Sequence, residues 1–167
     1  MPNQAEQYFT EILEDNKEKI YRICRIYAVA PIEPQDLFQE VVYQVWSSFS
    51  TFKGKSSIST WIYKIALNVC HRSKLQLERK NHKMVQLESI QFVPVESIPD
   101  KDQQDKYQAL HDCISSLNES DQSIVILFLE ELPYKEIAVI TDLTENHVAV
   151  KLKRIRKLLF NCITHKL

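Results

Sequence analysis

A single glycine, Gly54, among 167 residues restricts the folds open to this chain more than any other feature. Tight hairpin turns depend on residues that accept positive φ, glycine foremost. A chain this poor in glycine is badly equipped for a hairpin-rich sheet and well suited to long helices joined by polar loops. The apolar spacing agrees. From Ala5 to about Ala28, Phe9, Leu13, Ile20, Ile23 and Tyr27 fall on one helical face. Pro31 and Pro34 end that helix and prepare the next, PQDLFQEVVYQVWSSF. There Leu37, Phe38, Val41, Val42, Val45, Trp46 and Phe49 make a broad apolar face, and Asp36 sits where a carboxylate favours free N–H groups. In ISTWIYKIALNVCHRSKLQLERK, the residues Ile58, Trp61, Ile62, Ile65, Ala66, Val69 and Cys70 repeat at three and four, with Ser57 or Ser59 as the N-cap. Thr60, Lys64, Asn68, His71, Arg72 and Lys74 fall mainly on the other side.

The period is lost in MVQLESIQFVPVESIPDKDQQD, residues 84–105, where two prolines and several acids read as a linker. A second domain begins near Asp105. Tyr107, Leu110, Ile114 and Leu117 predict a short amphipathic helix, and Asn118 or Ser120 caps the next, which carries residues 124–129. In LPYKEIAVITDLTENHVAVKLKRIRKLL, Pro133 opens a helix with Ile137, Ala138 and Ile140 apolar. Thr141, Asp142 and Leu143 make a short turn, and Thr144 caps a last helix with Val148, Leu152, Ile155 and Leu159 inward. Two helices across such a turn describe a helix-turn-helix, with Asp142 taking the position where glycine is usual. The expected fold is all-α: two small helical domains, residues 1–83 and 106–167, joined by an acidic linker over 84–105. This length suits one or two small domains.

The net charge of −1 hides segregation. The nets are −4 over residues 1–49, +7 over 50–85, −10 over 86–145 and +6 over 146–167. Two basic blocks separated by an acidic one suggest contact with a polyanion at two places. One block alone reads more simply as a solvated helix face. Cys24, Cys70, Cys113 and Cys162 are far apart and form no CxxC or Cys/His cluster. They are expected to be reduced core residues of a cytosolic protein, with a disulfide or redox switch as the alternative. No apolar run approaches the roughly 20 residues of a membrane span, so no membrane insertion is expected. The N-terminus lacks the pattern of a secretory signal, and the expected setting is the cytoplasm. There is no nucleophile–base pair, phosphate cradle or metal cluster. No catalytic residue, metal or cofactor is expected, and the chain is not expected to be an enzyme.

Two stretches carry chemistry. A recognition helix must present its N-terminal side chains to base edges and cations to phosphates. Asn146, His147 and Val150 lie near such an end, with Lys151, Lys153, Arg154, Arg156 and Lys157 supplying charge. The bland alternative is a basic C-terminal helix on a bundle that binds no DNA. The other stretch is FKGKSSISTW, residues 52–61. A glycine between lysines, followed by hydroxyl side chains, lets backbone approach a ligand and offers donors to phosphate or an extruded base. Phe49, Phe52, Trp61 and Tyr63 are nearby, and aromatics beside cations suit stacked single-stranded bases. The competing reading is that Gly54 only turns the chain and the aromatics are core.

DLFQEVVYQVW, FKGKSSISTWIYKIALNV and the terminal helix-turn-helix, in this order and at these separations, resemble the compact extracytoplasmic-function (ECF) group of bacterial sigma factors. These are transcription-initiation subunits of RNA polymerase. The match covers about residues 8–80 and 107–160. The resemblance implies that Asp36, Gln39, Glu40 and Gln44 dock on the β′ clamp helices of core RNA polymerase, with the β subunit as a further contact. It implies that Lys53, Gly54, Lys55, Ser56, Ser57, Trp61, Lys64, Asn68 and Arg72 recognise and open the minus-ten element, where a flipped base enters a pocket. It assigns Asn146, His147, Val150, Lys151 and Arg154 to the minus-thirty-five element. Promoter DNA, duplex and single-stranded, is the implied ligand, and an anti-sigma factor is a further implied partner. The acidic linker would thread the polymerase, imitating nucleic-acid charge. His147 and Ala149 depart from the hydroxyl and basic residues that the family often has there. The slightly acidic net charge predicts poor DNA binding by the free chain. A dimeric helix-turn-helix regulator is the runner-up, but it leaves FKGKSS and DLFQE without a purpose. An adaptor that binds no DNA leaves both basic blocks unexplained.

Overall fold

A computed structural model describes residue 1, residues 3–83 and residues 100–167, with side chains described to residue 80 in the first stretch. The described residues form seven α-helices and one 3-10 turn: α1 (Gln4–Tyr27), α2 (Pro34–Ser48), the turn Phe49–Thr51, α3 (Ile58–Lys83), α4 (Lys101–Ser115), α5 (Glu119–Leu129), α6 (Tyr134–Thr141) and α7 (Glu145–Lys166). The chain divides into two compact units, Met1–Glu88 and Ser89–Leu167.

In the first unit α1, α2 and α3 pack mutually around Ile20, Ile23, Val41, Val45 and Ile62. Helix starts are set by side chains. The Asn3 N–H donates to Glu6 Oε2 at 3.1 Å, and the Glu33 N–H donates to Asp36 Oδ2 at 3.2 Å, ahead of a proline in the first turn of α2. Of the two serines considered, Ser57 caps α3: its Oγ accepts from the Thr60 N–H at 3.2 Å. Because α3 packs against two helices, its buried arc is wider than the apolar stripe and turned relative to it. Thr60, Ile62, Tyr63, Ala66, Leu67, Val69 and Cys70 are buried, whereas Trp61 and Ile65 lie at the edge. Tyr63 is 3% exposed and its hydroxyl donates to buried Asn16 Oδ1 at 2.8 Å. Asn16 in turn donates to the Ile12 carbonyl at 2.9 Å, so the polar interior is paired. Tyr63 is therefore a core residue, which for this aromatic decides in favour of the core reading over base stacking. Tyr27 and His71 also join α1 to α3, oxygen to Nε2 at 2.9 Å.

Gly54 has φ +70°, and a Cβ built there would meet nothing within 4 Å. Backbone conformation, not crowding, is what requires glycine at this loop. Gly54→Ala is expected to lower stability by about 1 kcal/mol and Gly54→Asn by less, because Asn tolerates the left-handed region better. Paired urea titrations followed by far-UV circular dichroism check this.

In the second unit α5 runs through the middle, buried from Asp121 to Leu127, with α4, α6 and α7 against it. Asn118 caps α5: its Oδ1 accepts from the Asp121 N–H at 2.9 Å. Asp142 adopts φ 57°, ψ 37° between α6 and α7, the left-handed position that glycine would otherwise fill. The Leu143 N–H closes the α6 end on the Ala138 carbonyl at 3.0 Å, and Thr144 Oγ1 caps α7 through the His147 N–H at 3.1 Å.

Two expectations change here. Residues 84–99 of the expected linker, and its proposed threading path, lie outside the described residues. Its last residues are helical: Asp100 accepts from the Asp102 N–H at 3.1 Å and starts α4 at Lys101. Lys106 supports that first turn through a 2.6 Å pair with Asp102. The cysteines also divide. Cys113 and Cys162 form a disulfide between α4 and α7, contrary to the reduced state expected. Packing α4 on α7 brings residues 49 apart in sequence to a Cα separation of 5.9 Å, inside the range that permits a bridge. Cys24 and Cys70 remain buried free thiols. A hydrogen bond with Cys24 and burial push the Cys70 thiol far above its ordinary range, so it is held protonated.

Candidate nucleic-acid interface

Lys53, Gly54 and Lys55 project from the loop before α3 and are exposed. Ser56 is half-buried, its Oγ donating to the Ser57 carbonyl at 3.2 Å. The Ser57 hydroxyl donates to Thr60 Oγ1 at 2.9 Å besides capping the helix. The loop's conformation is thus fixed by one glycine and one capped turn, and its two ammonium groups face water. Directly after it, Trp61, Lys64, Asn68 and Arg72 follow at i, i+3, i+7 and i+11, outside the buried arc of α3. They form one line about 16 Å long. Trp61 is half-buried against Phe52, ring centroids 5.1 Å apart. Phe49 packs instead on Phe9 at 5.7 Å and Tyr8 at 5.9 Å, which ties the loop's entry to α1.

On α2 the residues Asp36, Gln39, Glu40 and Gln44 share an outer face, away from buried Leu37, Val41 and Val45. Asp36 is occupied in capping, and Gln44 Nε2 donates to Glu40 Oε1 at 3.0 Å. Sequence reading missed the residue at the middle of this face. Tyr43, 62% exposed, stands i+7 from Asp36, i+4 from Gln39 and i+3 from Glu40. Its spacing was legible, since Tyr43 falls outside the apolar face of Leu37, Val41 and Val45, but the sequence reading assigned it no role.

On α7 the residues Asn146, His147, Val150, Lys151 and Arg154 share the face opposite Val148, Leu152, Ile155 and Leu159. Asn146 and His147 are exposed in the first turn and Val150 is 60% exposed. Lys151 and Arg154 are engaged: Arg154 Nη2 reaches both carboxylate oxygens of Asp121 at 2.9 and 2.7 Å, and Lys151 Nζ donates to Ser120 Oγ at 3.2 Å. Arg156 lies over the Phe128 ring at 4.6 Å, which uses its charge to hold α7 on α5. Within the described residues no group of three or more His, Cys, Asp or Glu could hold a metal, and no helix is long and apolar enough to cross a membrane.

Comparison with known proteins agrees in both units. Residues 12–80 match the family model described as Sigma-70 region 2, and residues 107–159 match Sigma-70, region 4. RNA polymerase sigma factor SigV of Bacillus subtilis (strain 168) is 30% identical over 152 residues, covering 88% of this chain and 86% of that protein. The ECF RNA polymerase sigma factor SigW of the same organism is 31% identical over 61 residues, covering 36% of this chain and 33% of that protein. Among solved structures, the sigma factor RpoE in complex with the anti-sigma factor NepR from Bartonella quintana superposes with a TM-score of 0.74 at 16% identity, covering 95% of this chain and 98% of that one. CnrH, in complex with the cytosolic domain of CnrY, gives 0.67 at 14% identity, covering 98% of this chain and 90% of that one. These two likenesses show a shared fold.

Proposed function

Because the chain belongs to the ECF group of RNA polymerase sigma factors, which direct the polymerase in transcription initiation, we propose that its surfaces divide that work into docking, strand opening and upstream reading. The observation that carries the reading is the exposed Lys53–Gly54–Lys55 loop leading into the Trp61, Lys64, Asn68 and Arg72 line on α3. The lysines attract the phosphates of a strand leaving the duplex. Half-buried Trp61 offers an edge to an unstacked base. Asn68 and Arg72 follow the backbone along the helix. The Asp36, Gln39, Glu40, Tyr43 and Gln44 face of α2 docks on core polymerase, with the β′ clamp helices as the family's partner for this motif. The first two turns of α7 read the upstream element in the major groove, with Asn146, His147 and Val150 facing bases. Residues 1–83 serve docking and opening, the unit that begins with α4 at Lys101 serves upstream reading, and the acidic segment between tethers them. Chemistry stays with the polymerase, and the setting is the cytoplasm. An anti-sigma partner follows from RpoE and CnrH, whose structures are of complexes, the former with an anti-sigma factor.

Run-off transcription with core polymerase on genomic fragments, followed by start-site mapping, tests the whole reading. Addition of the chain is expected to create start sites that core polymerase alone does not use. Identical transcripts with and without the chain refute it.

A further inference from the structure

We propose that Asp121 is the positioning residue that sets Lys151 and Arg154 for upstream-element reading. The inference rests on the reading of α7 as the recognition helix. Asp121 sits in the first turn of α5 and its side chain is 2% exposed. It receives Arg154 Nη2 on both oxygens, at 2.9 and 2.7 Å. Lys151 Nζ lies 3.7 Å from Oδ1. Asn118 Nδ2 donates to Oδ2 at 3.2 Å and anchors the carboxylate from its own helix. Two cations one turn apart on α7 therefore converge on one buried carboxylate of another helix.

Adhesion between α5 and α7 does not require this arrangement. Burying a carboxylate carries a desolvation cost, and apolar residues of similar volume hold helices together as well or better. Direction is what the ion pair adds. A long cationic side chain held in one rotamer before binding does not have to give up that freedom on the DNA. Both bonds to Asp121 start from Nη2, and Arg154 remains 56% exposed, so the guanidinium is fixed and still accessible, on the helix face that carries Asn146 and Val150. Asp121 also offsets one positive charge on the face. That weakens attraction to any phosphate, which is blind to sequence, relative to contacts that depend on position. The carboxylate thus trades indiscriminate affinity for selectivity.

Holoenzyme assembled from core polymerase and the full chain tests this, on a promoter fragment it transcribes, carrying the upstream element intact or scrambled, over a salt series. For Asp121→Asn, the intact-to-scrambled affinity ratio is expected to fall about tenfold, the scale of one lost side-chain contact to a base pair. At the same time log affinity for the scrambled fragment should depend on log salt more steeply by about one, since a further cation becomes available to phosphate. Arg154→Lys keeps the charge and loses the paired bonds. It should reduce the ratio without changing the slope, and it decides the matter if Asp121→Asn does not fold. An unchanged ratio in both variants, with a selective parent, overturns the positioning role alone. Uniform weakening on both fragments with no steeper slope also overturns it, because it marks Asp121 as packing only. A parent that does not distinguish the two fragments overturns the recognition-helix reading, and this inference with it.

Discussion

Replacing Lys53 and Lys55 together by alanine is expected to slow open-complex formation about 30-fold while closed-complex affinity changes about threefold or less, on the scale of charge-assisted contacts worth about 1.5–3 kcal/mol between them. The asymmetry comes from where the lysines are. They flank a glycine at φ +70° in a loop pinned on one side by the Ser57 cap and on the other by Phe49 and Phe52 packing. A pinned loop carrying two exposed ammonium groups makes its contacts only when a strand comes to it. In the closed duplex the phosphates follow the helical path, and the two lysines gain a small screened attraction. On the proposed reading, when a strand peels away its phosphates reach the loop and its bases reach Trp61. The interaction is then stronger in the opening transition state than in the ground state, and a contact of that kind sets rate rather than affinity. Permanganate reactivity of unpaired thymines, followed in time, gives the opening rate, and filter binding at low temperature gives the closed-complex affinity. Equal losses in both would remove the strand-opening role of the loop. Alanine at these exposed positions should leave the unfolding midpoint unchanged, which separates the effect from that of Gly54.

Most helices and several of their caps were legible because they depend on neighbours in sequence, whereas the caps at Asn3, Glu33 and Asp100 were not read. Ser57, Asn118, Thr144 and the left-handed Asp142 each act within four residues, where spacing carries the information. What spacing could not convey is which distant residues meet. Asp121 counted as one acid in a block of net −10, yet its carboxylate is buried under Arg154, 33 residues away. Block charge treats all acids as solvated, so it hid the one that is paired with the basic helix. Cys113 and Cys162 looked unrelated for the same reason, since only the packing of α4 on α7 brings them together. Tyr63 was left open between base stacking and core, and the core reading is the one that holds: α3 buries an arc wide enough to contact both α1 and α2, while the apolar stripe suggested a narrower one turned towards Trp61.

Tyr43→Ala is expected to weaken assembly with core polymerase about 30-fold, the scale of an interface hot spot worth about 2 kcal/mol. The face around it is polar: Asp36, Gln39, Glu40 and Gln44 are acids and amides, and on the proposed docking their contacts with a charged partner helix would contribute mostly orientation and encounter rate. Their pairing costs them before docking begins. Gln44 already donates to Glu40 at 3.0 Å, and Asp36 already accepts the Glu33 N–H at 3.2 Å, so part of their bonding capacity is already used on the helix. Tyr43 has the apolar area that these residues lack, and an aromatic ring loses little rotamer freedom on burial. At 62% exposed it contributes little to the unit's own core, so its truncation should leave the unfolding midpoint within the spread of surface substitutions, about 0.5 kcal/mol. Asp36→Asn gives the contrasting result. It keeps an acceptor for the Glu33 N–H and removes only the charge, so association should slow and become less salt-dependent while dissociation changes little. Surface-immobilised core polymerase and the two variants, compared at low and high salt, separate the two contributions by rate constant. If Tyr43→Ala dissociates no faster than the parent chain, docking does not use this face, and the acids and amides flanking it are solvated residues of α2.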